Sequence, residues 1–318
     1  MSGRNRRRER VENIRIKAVH GWGRDQAASA PRYNITTRSC RQTGMSRDRP
    51  VNRGAMSSTS PSSAMEPLSP PVTLRAAPAA ALLLAAHGER NVPEPNALLA
   101  AHTNALAVLL PHMRVAYGVL NGEPAFEDAL LQAAQAGAGR ILVYPFFMAE
   151  GYFTASALPE RVAAAGCSEA VEILRPLGEA AGLPQIMLDD ALAAAHRAAF
   201  DPASTRLLVV GHGSRSDAGS AKATARVAEA LREQGAFAEV AIALLEEPPG
   251  IVEQLEASAL PAVVSGFFAG GGMHAVRDVP DAIARSRTRA VYAGPVGASP
   301  QLRDIIAGAV REKMGRGC

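Results

Sequence analysis

The chain has 318 residues, enough for one large domain or two modest ones. Its formal net charge of +4 is misleading, because residues 1–75 hold 15 Lys and Arg against 5 Asp and Glu, leaving 19 against 25 in the remainder. The body is therefore mildly acidic, which argues against a basic face for nucleic acid, and no apolar run is long enough to span a membrane.

Residues 1–76 combine an Arg-rich start with a Ser, Pro and Met-rich tract from Met56 to Pro71. No sustained apolar period runs through them, so little surface can be buried to offset the entropy of ordering. They read as a disordered basic leader, with a nucleic-acid-binding or targeting arm, a transit peptide, or translated upstream sequence (a start at Met45, Met56 or Met65) as the other readings. Cys40, Cys167 and Cys318 are odd in number and widely spaced. They suggest neither a disulfide framework nor a zinc site, and with no secretory signal they fit a reducing cytoplasm.

From residue 79 short apolar runs alternate with Ala, Leu and Glu-rich segments of helical period. Strands are expected at Ala81–Ala86, Arg114–Val119, Arg140–Tyr144 and Val171–Leu174, then at Arg206–Gly211, Glu239–Leu244, Ala262–Ser265 and Ala290–Ala293. Helices are expected near 96–110, 125–136, 158–165, 182–199, 218–234, 250–259, 279–287 and 299–313. Regular alternation predicts parallel sheets covered on both faces.

The two halves repeat one another. Leu83 to Arg90 aligns with Leu208 to Arg215 at an offset of 125, which also pairs Asn121 with Glu246. Near the third strand the offset slips to 121, pairing Phe153 with His274 and Pro159 with Pro280. This predicts a duplicated α/β domain, 77–200 and 201–318, with a cleft between the halves. The second copy brings His212, Glu246 and His274 to the ends of three successive strands. The first keeps only His87, opposite Asn121 and Phe153, and reads as a degenerate site.

His274 follows Gly270-Gly271-Gly272-Met273, where the glycines are expected to give the backbone freedom and close access to a ligand. Asp278 and Pro280 read as the cap and first turn of the next helix. Two imidazoles and a carboxylate at one sheet edge suit a borderline divalent ion such as Co, Fe, Ni or Zn. Neutral imidazole can bind such an ion and can also take a proton near neutral pH. Insertion of a metal into a tetrapyrrole needs both abilities, because two pyrrole protons leave as the ion enters. Nucleotide use is not expected: no G-x-x-x-x-G-K-[ST] occurs, and Gly219-Ser220-Ala221-Lys222 has the wrong spacing.

His212-Gly213-Ser214-Arg215, Leu245-Glu246 before Pro248-Pro249, and Phe267–Pro280 together resemble the sirohydrochlorin cobaltochelatase (CbiX-type) family, related to the SirB-type siroheme ferrochelatases. The resemblance spans residues 80–313. It implies two tandem chelatase-like (flavodoxin-like) α/β domains with the active site between them, in an ATP-independent class II chelatase. It further implies a divalent metal and a tetrapyrrole as substrates and a cytoplasmic, monomeric chain. His212 and His274 become the metal-handling, proton-accepting pair, with Glu246 assisting. Arg215, Gly271, Gly272, Met273, Arg277 and His87 are candidates for contacts to the macrocycle. Co(II) insertion toward cobalamin, Fe(II) or Ni(II) insertion, and metal delivery without catalysis all remain open at this point. Glu247 reads as solvating its loop, and His20, His102, His112 and His196 as incidental.

Overall fold

The structure, a computed structural model, describes residues 80–90, 92–214 and 218–315. The expected leader (1–76), Cys40, His20, Arg215 and Cys318 lie outside the described residues. No helix among them is long and apolar enough to cross a membrane.

Two four-stranded parallel sheets form. The first contains β1 (Ala80–Ala86), β2 (Met113–Val119), β3 (Arg140–Pro145) and β4 (Val171–Ile173), in the order β2-β1-β3-β4. The second contains β5 (Arg206–Gly211), β6 (Glu239–Leu244), β7 (Ala262–Gly266) and β8 (Ala290–Pro295), in the equivalent order β6-β5-β7-β8. All eight strands match the expected segments to within two residues. The central strands are apolar on both faces because helices cover both. In each sheet the chain leaves the first strand on one side and returns on the other, which makes a topological switch point. Crevices at the carboxyl ends of such strands are where open α/β sheets take ligands.

Side chains alternate along each central strand. Ala81, Leu83 and Ala85 point outward to pack with Phe126, Leu130 and Leu158, from α2 (Phe126–Gln135) and α3 (Leu158–Ala164). Leu208 and Val210 do the same against Ile251, Leu255 and Val279, from α6 (Ile251–Glu256) and α7 (Val279–Arg285). The inward faces, Leu82 and Leu84 from one sheet and Leu207 and Val209 from the other, belong to a single shared core. The described residues accordingly all belong to one packing unit.

The last helix of each repeat explains the shared core. α4 (Leu183–Arg197) follows β4 in sequence but packs on β7, β8 and α5 (Gly219–Glu233) of the second repeat. It buries Leu183, Ile186, Met187 and Leu188, each worth about 1.5–3 kcal/mol of transfer free energy when fully buried. α8 (Leu302–Gly315) packs on α1 (Ala97–Leu109) of the first repeat. Near its end Lys313 donates to Glu172 of β4 at 2.6 Å. That hydrogen bond, with a second from Arg140, holds the Glu172 carboxyl below the ordinary Glu range.

His102 also ties the repeats together and is not incidental. It is buried on α1, its Nε2–H donates to the carbonyl of Gly297 at 2.8 Å, and burial lowers its pKa.

Candidate metal-handling site

Three strand ends build the site. His212 directly follows β5, Glu246 follows β6 by two residues, and His274 comes after the loop that leaves β7. One ligand atom from each, an imidazole nitrogen or a carboxylate oxygen, lies within 4.8 Å of the others. The imidazoles of His212 and His274 meet edge to face, centroids 4.7 Å apart. His212 and Glu246 are exposed and His274 is half-buried, so the cluster opens to solvent.

The hydrogen bonds select a tautomer. The Nδ1–H of His212 donates to the carbonyl of Gly213 at 2.8 Å, and the Nδ1–H of His274 donates to Oδ2 of Asp278 at 2.7 Å. Each ring then presents Nε2 with its lone pair as the donor to an ion. A carboxylate on the distal nitrogen is the usual way to orient a ligating histidine.

This geometry corrects two expectations. Asp278 does not cap the following helix with its side chain, because the helical stretch starts earlier, as a π turn over His274–Asp278 that runs into α7. The carboxylate is thereby brought beside His274 one turn away, the i,i+4 neighbourhood of a helix. Glu247 does not merely solvate its loop. Its Oε1 accepts the backbone N–H of Ser214 at 3.0 Å, which ties the β6 turn to the turn carrying His212. Gly213 adopts φ 71° in that turn, a region costly for other residues.

The triple glycine serves close approach rather than unusual backbone angles. None of Gly270, Gly271 and Gly272 has positive φ. A Cβ on Gly270 would stand 2.5 Å from Oε1 of Glu89, and one on Gly271 would stand 3.3 Å from Cδ1 of Leu98. The loop before His274 therefore lies against the first repeat. Glu89 cannot easily yield, since its backbone and carboxylate exchange hydrogen bonds with Asn96 at 2.9 and 2.8 Å. Met273 immediately precedes the π turn. Arg277 is exposed and faces Asp281 at 3.7 Å. Arg215 falls outside the described residues.

A groove of about 430 Å³ adjoins the cluster, walled by Glu246, Glu253, His274, Asp278, Asp281 and Arg285 among others. Four carboxylates against one guanidinium give it a potential that favours cations.

The corresponding place in the first repeat has the same ring arrangement and different chemistry. His87 and Phe153 meet edge to face at 5.0 Å. The Nδ1–H of His87 donates to the carbonyl of Gly88 at 3.2 Å, and its Nε2 accepts the Asn121 amide at 3.3 Å. The lone pair that would face an ion is thus occupied by a hydrogen-bond donor.

A family model described as CbiX matches residues 81–194 and again 206–313. The chain belongs to the CbiX family. Both matched segments of the CbiX pattern include a histidine directly after the first strand, His87 and His212. Among individual relatives, a probable sirohydrochlorin cobaltochelatase of Halobacterium salinarum is 24% identical, over 63% of this chain and 75% of its own length. A solved CbiX, described as the terminal enzyme for biosynthesis of siroheme in denitrifying bacteria, is 32% identical; the alignment covers 73% of this chain and 98% of that one, with a TM-score of 0.62. SirB from Bacillus subtilis, solved with Fe3+, shares the fold at 17% identity and a TM-score of 0.62, over 73% and 94% of the two chains.

Proposed function

We propose that this chain inserts a divalent metal ion into sirohydrochlorin or a close precorrin without ATP, and that the ion is Co(II), on a route to cobalamin. The observation carrying the reading is the convergence of three donors, from His212, His274 and Glu246, within 4.8 Å on an open face. Family membership and the cobaltochelatase relative support the choice of reaction.

The chemistry follows from the donor set. Three donors on an exposed face hold an ion without closing a tetrahedral cage, so positions remain for incoming nitrogens. As pyrrole nitrogens replace protein ligands, the released imidazoles and the Glu246 carboxylate are in place to accept the two N–H protons. One M2+ enters, two protons leave, and charge balances with no nucleotide. Asp278 keeps the His274 ring turned with Nε2 toward the ion. The openness of the cluster favours this reading over a carrier that encloses its metal.

Fe(II) insertion for siroheme is the second reading, favoured by the 32% identity to the CbiX described as a siroheme enzyme. Imidazole and carboxylate serve both ions, and selectivity follows geometry and supply. The test is an anaerobic assay of purified protein with sirohydrochlorin and Co(II), Fe(II) or Ni(II), followed by absorbance. Acceleration over the protein-free rate greatest with Co(II) supports the proposal, and acceleration greatest with Fe(II) moves it to siroheme. Tight metal binding with no acceleration for any ion overturns catalysis in favour of delivery.

A further inference from the structure

We infer that the first repeat's counterpart of the metal site is a platform for the flat face of the tetrapyrrole, built from Tyr152 and Phe153 and supported by Phe147 and His87. The inference rests on the proposed chelatase reading and names the part of the protein that holds the organic substrate.

Exposure is the first observation. Among the described residues, the exposed large apolar side chains are Val108, Leu131, Tyr152, Phe153 and Val276. The two aromatic ones are adjacent, 65% and 36% exposed, at the carboxyl edge of the sheet. Aromatic rings left in water at a topological switch point have apolar faces available to a ligand.

Order is the second. Phe147 stacks behind Phe153 with centroids 5.8 Å apart and planes at 16°. Tyr152 meets Phe153 at 5.6 Å and 65°, and His87 closes the other side at 5.0 Å and 81°. The Asn121 amide and the Gly88 carbonyl hold both nitrogens of His87. That imidazole is thereby removed from metal chemistry and fixed as a wall of the aromatic cluster.

Placement is the third. Glu89, two residues after His87, stands against Gly270, four residues before His274. The turn carrying His87, which packs on Phe153, and the glycine loop leading to His274 thus touch across the seam between repeats. A planar ligand lying over that seam meets rings on one side and Nε2 atoms on the other. A second copy of this chain is a poor fit to the same patch, since two exposed rings offer far less than the ~1,200 Å² that stable protein interfaces bury.

The experiment titrates metal-free sirohydrochlorin into the wild type, Tyr152→Ala, Phe153→Ala and Phe153→Leu, reading tetrapyrrole absorbance. It also measures separate KM values for tetrapyrrole and Co(II), and mass by size exclusion. Stacking on an aromatic side chain is worth on the order of 1–3 kcal/mol, so removing a ring should raise the tetrapyrrole Kd and KM by roughly 5- to 150-fold. The KM for Co(II) should stay near the wild-type value, and Phe153→Leu should lose less than Phe153→Ala. Tyr152 is largely exposed, so its variant should fold and keep the test decisive. Unchanged tetrapyrrole affinity in Tyr152→Ala and Phe153→Ala, with a wild type that metallates sirohydrochlorin, overturns the platform alone. A change in oligomeric mass without a change in tetrapyrrole affinity also overturns it. A wild type that binds no tetrapyrrole overturns the platform and the chelatase reading together, a result visible before any variant is made.

Discussion

The ring of His274 stands at 85° to that of His212, with each Nδ1–H committed to a protein oxygen. Two Nε2 lone pairs are therefore presented by rings that cannot turn without breaking a hydrogen bond. His212→Ala and His274→Ala should each lower kcat/KM for Co(II) by about 10²-fold or more, the scale of losing a positioned ligand and proton acceptor. His87→Ala should leave the KM for Co(II) close to wild type. Comparable losses in Co(II) handling at His87 and His212 would overturn the division of labour between repeats.

Removing the carboxylate behind His274 should weaken metal binding without touching a ligand. Asp278→Ala should raise the Co(II) Kd by about 10–100-fold, the usual cost of losing a carboxylate that orients a ligating histidine. Asp278→Asn can still accept from Nδ1–H through its amide oxygen and should lose less. Equilibrium dialysis with Co(II), alongside a melting curve to show an intact fold, separates orientation from stability.

The first repeat retains a histidine in the right place and lacks the other two ligands, so it should be repairable. Asn121→Glu with Phe153→His would place a carboxylate and an imidazole where Glu246 and His274 stand in the second repeat. The doubly substituted protein should bind about two Co(II) ions where the wild type binds about one, counted by dialysis and metal analysis at saturating ion. A stoichiometry unchanged from wild type would count against equivalence of the two sites.

How legible this was in the sequence varied with the kind of force involved. The strands were readable almost to the residue, since parallel strands buried on both faces appear as continuous apolar runs such as Leu207 to Val210. The His212, Glu246 and His274 constellation was readable because the internal repeat showed which positions differ. Asp278 was missed because its place before Pro280 fits a helix cap; the His-x-x-x-Asp spacing was the signal that could have found it. Glu247 was missed because no local pattern marks a side chain that accepts from Ser214 on another turn. The exchange of α4 and α8 was not readable at all. An amphipathic helix shows which of its faces is buried, and not which sheet buries it.

Stability should fall on mild acidification, and His102 should contribute to that. Burial pushes its pKa below the ordinary 6.5. As pH falls below 6.5 the unfolded chain takes a proton that the folded chain resists. The stability gained is full above 6.5 and is lost as pH drops toward the folded pKa, by about 1.4 kcal/mol per unit of depression. The urea midpoint of the wild type should therefore decline between pH of about 7.5 and 5. In His102→Gln, which keeps a donor for Gly297 without titrating, the decline should be shallower. Asp190, whose carboxyl is raised by burial, acts in the opposite sense, and being present in both proteins it cancels from the comparison.

The exchanged helices have a consequence for the repeat that carries Asn121 and Phe153. α4 is encoded with the first repeat yet roofs the sheet that bears His212 and His274. A gene trimmed to residues 201–318 would keep all three ligands and lose Leu183, Ile186 and Met187 from the core above β7 and β8. The stripped sheet face would be left to water and to aggregation. The first repeat thus serves the second as a cover in cis, and substitutions on its outer surface are tolerable only so long as α4 stays in place.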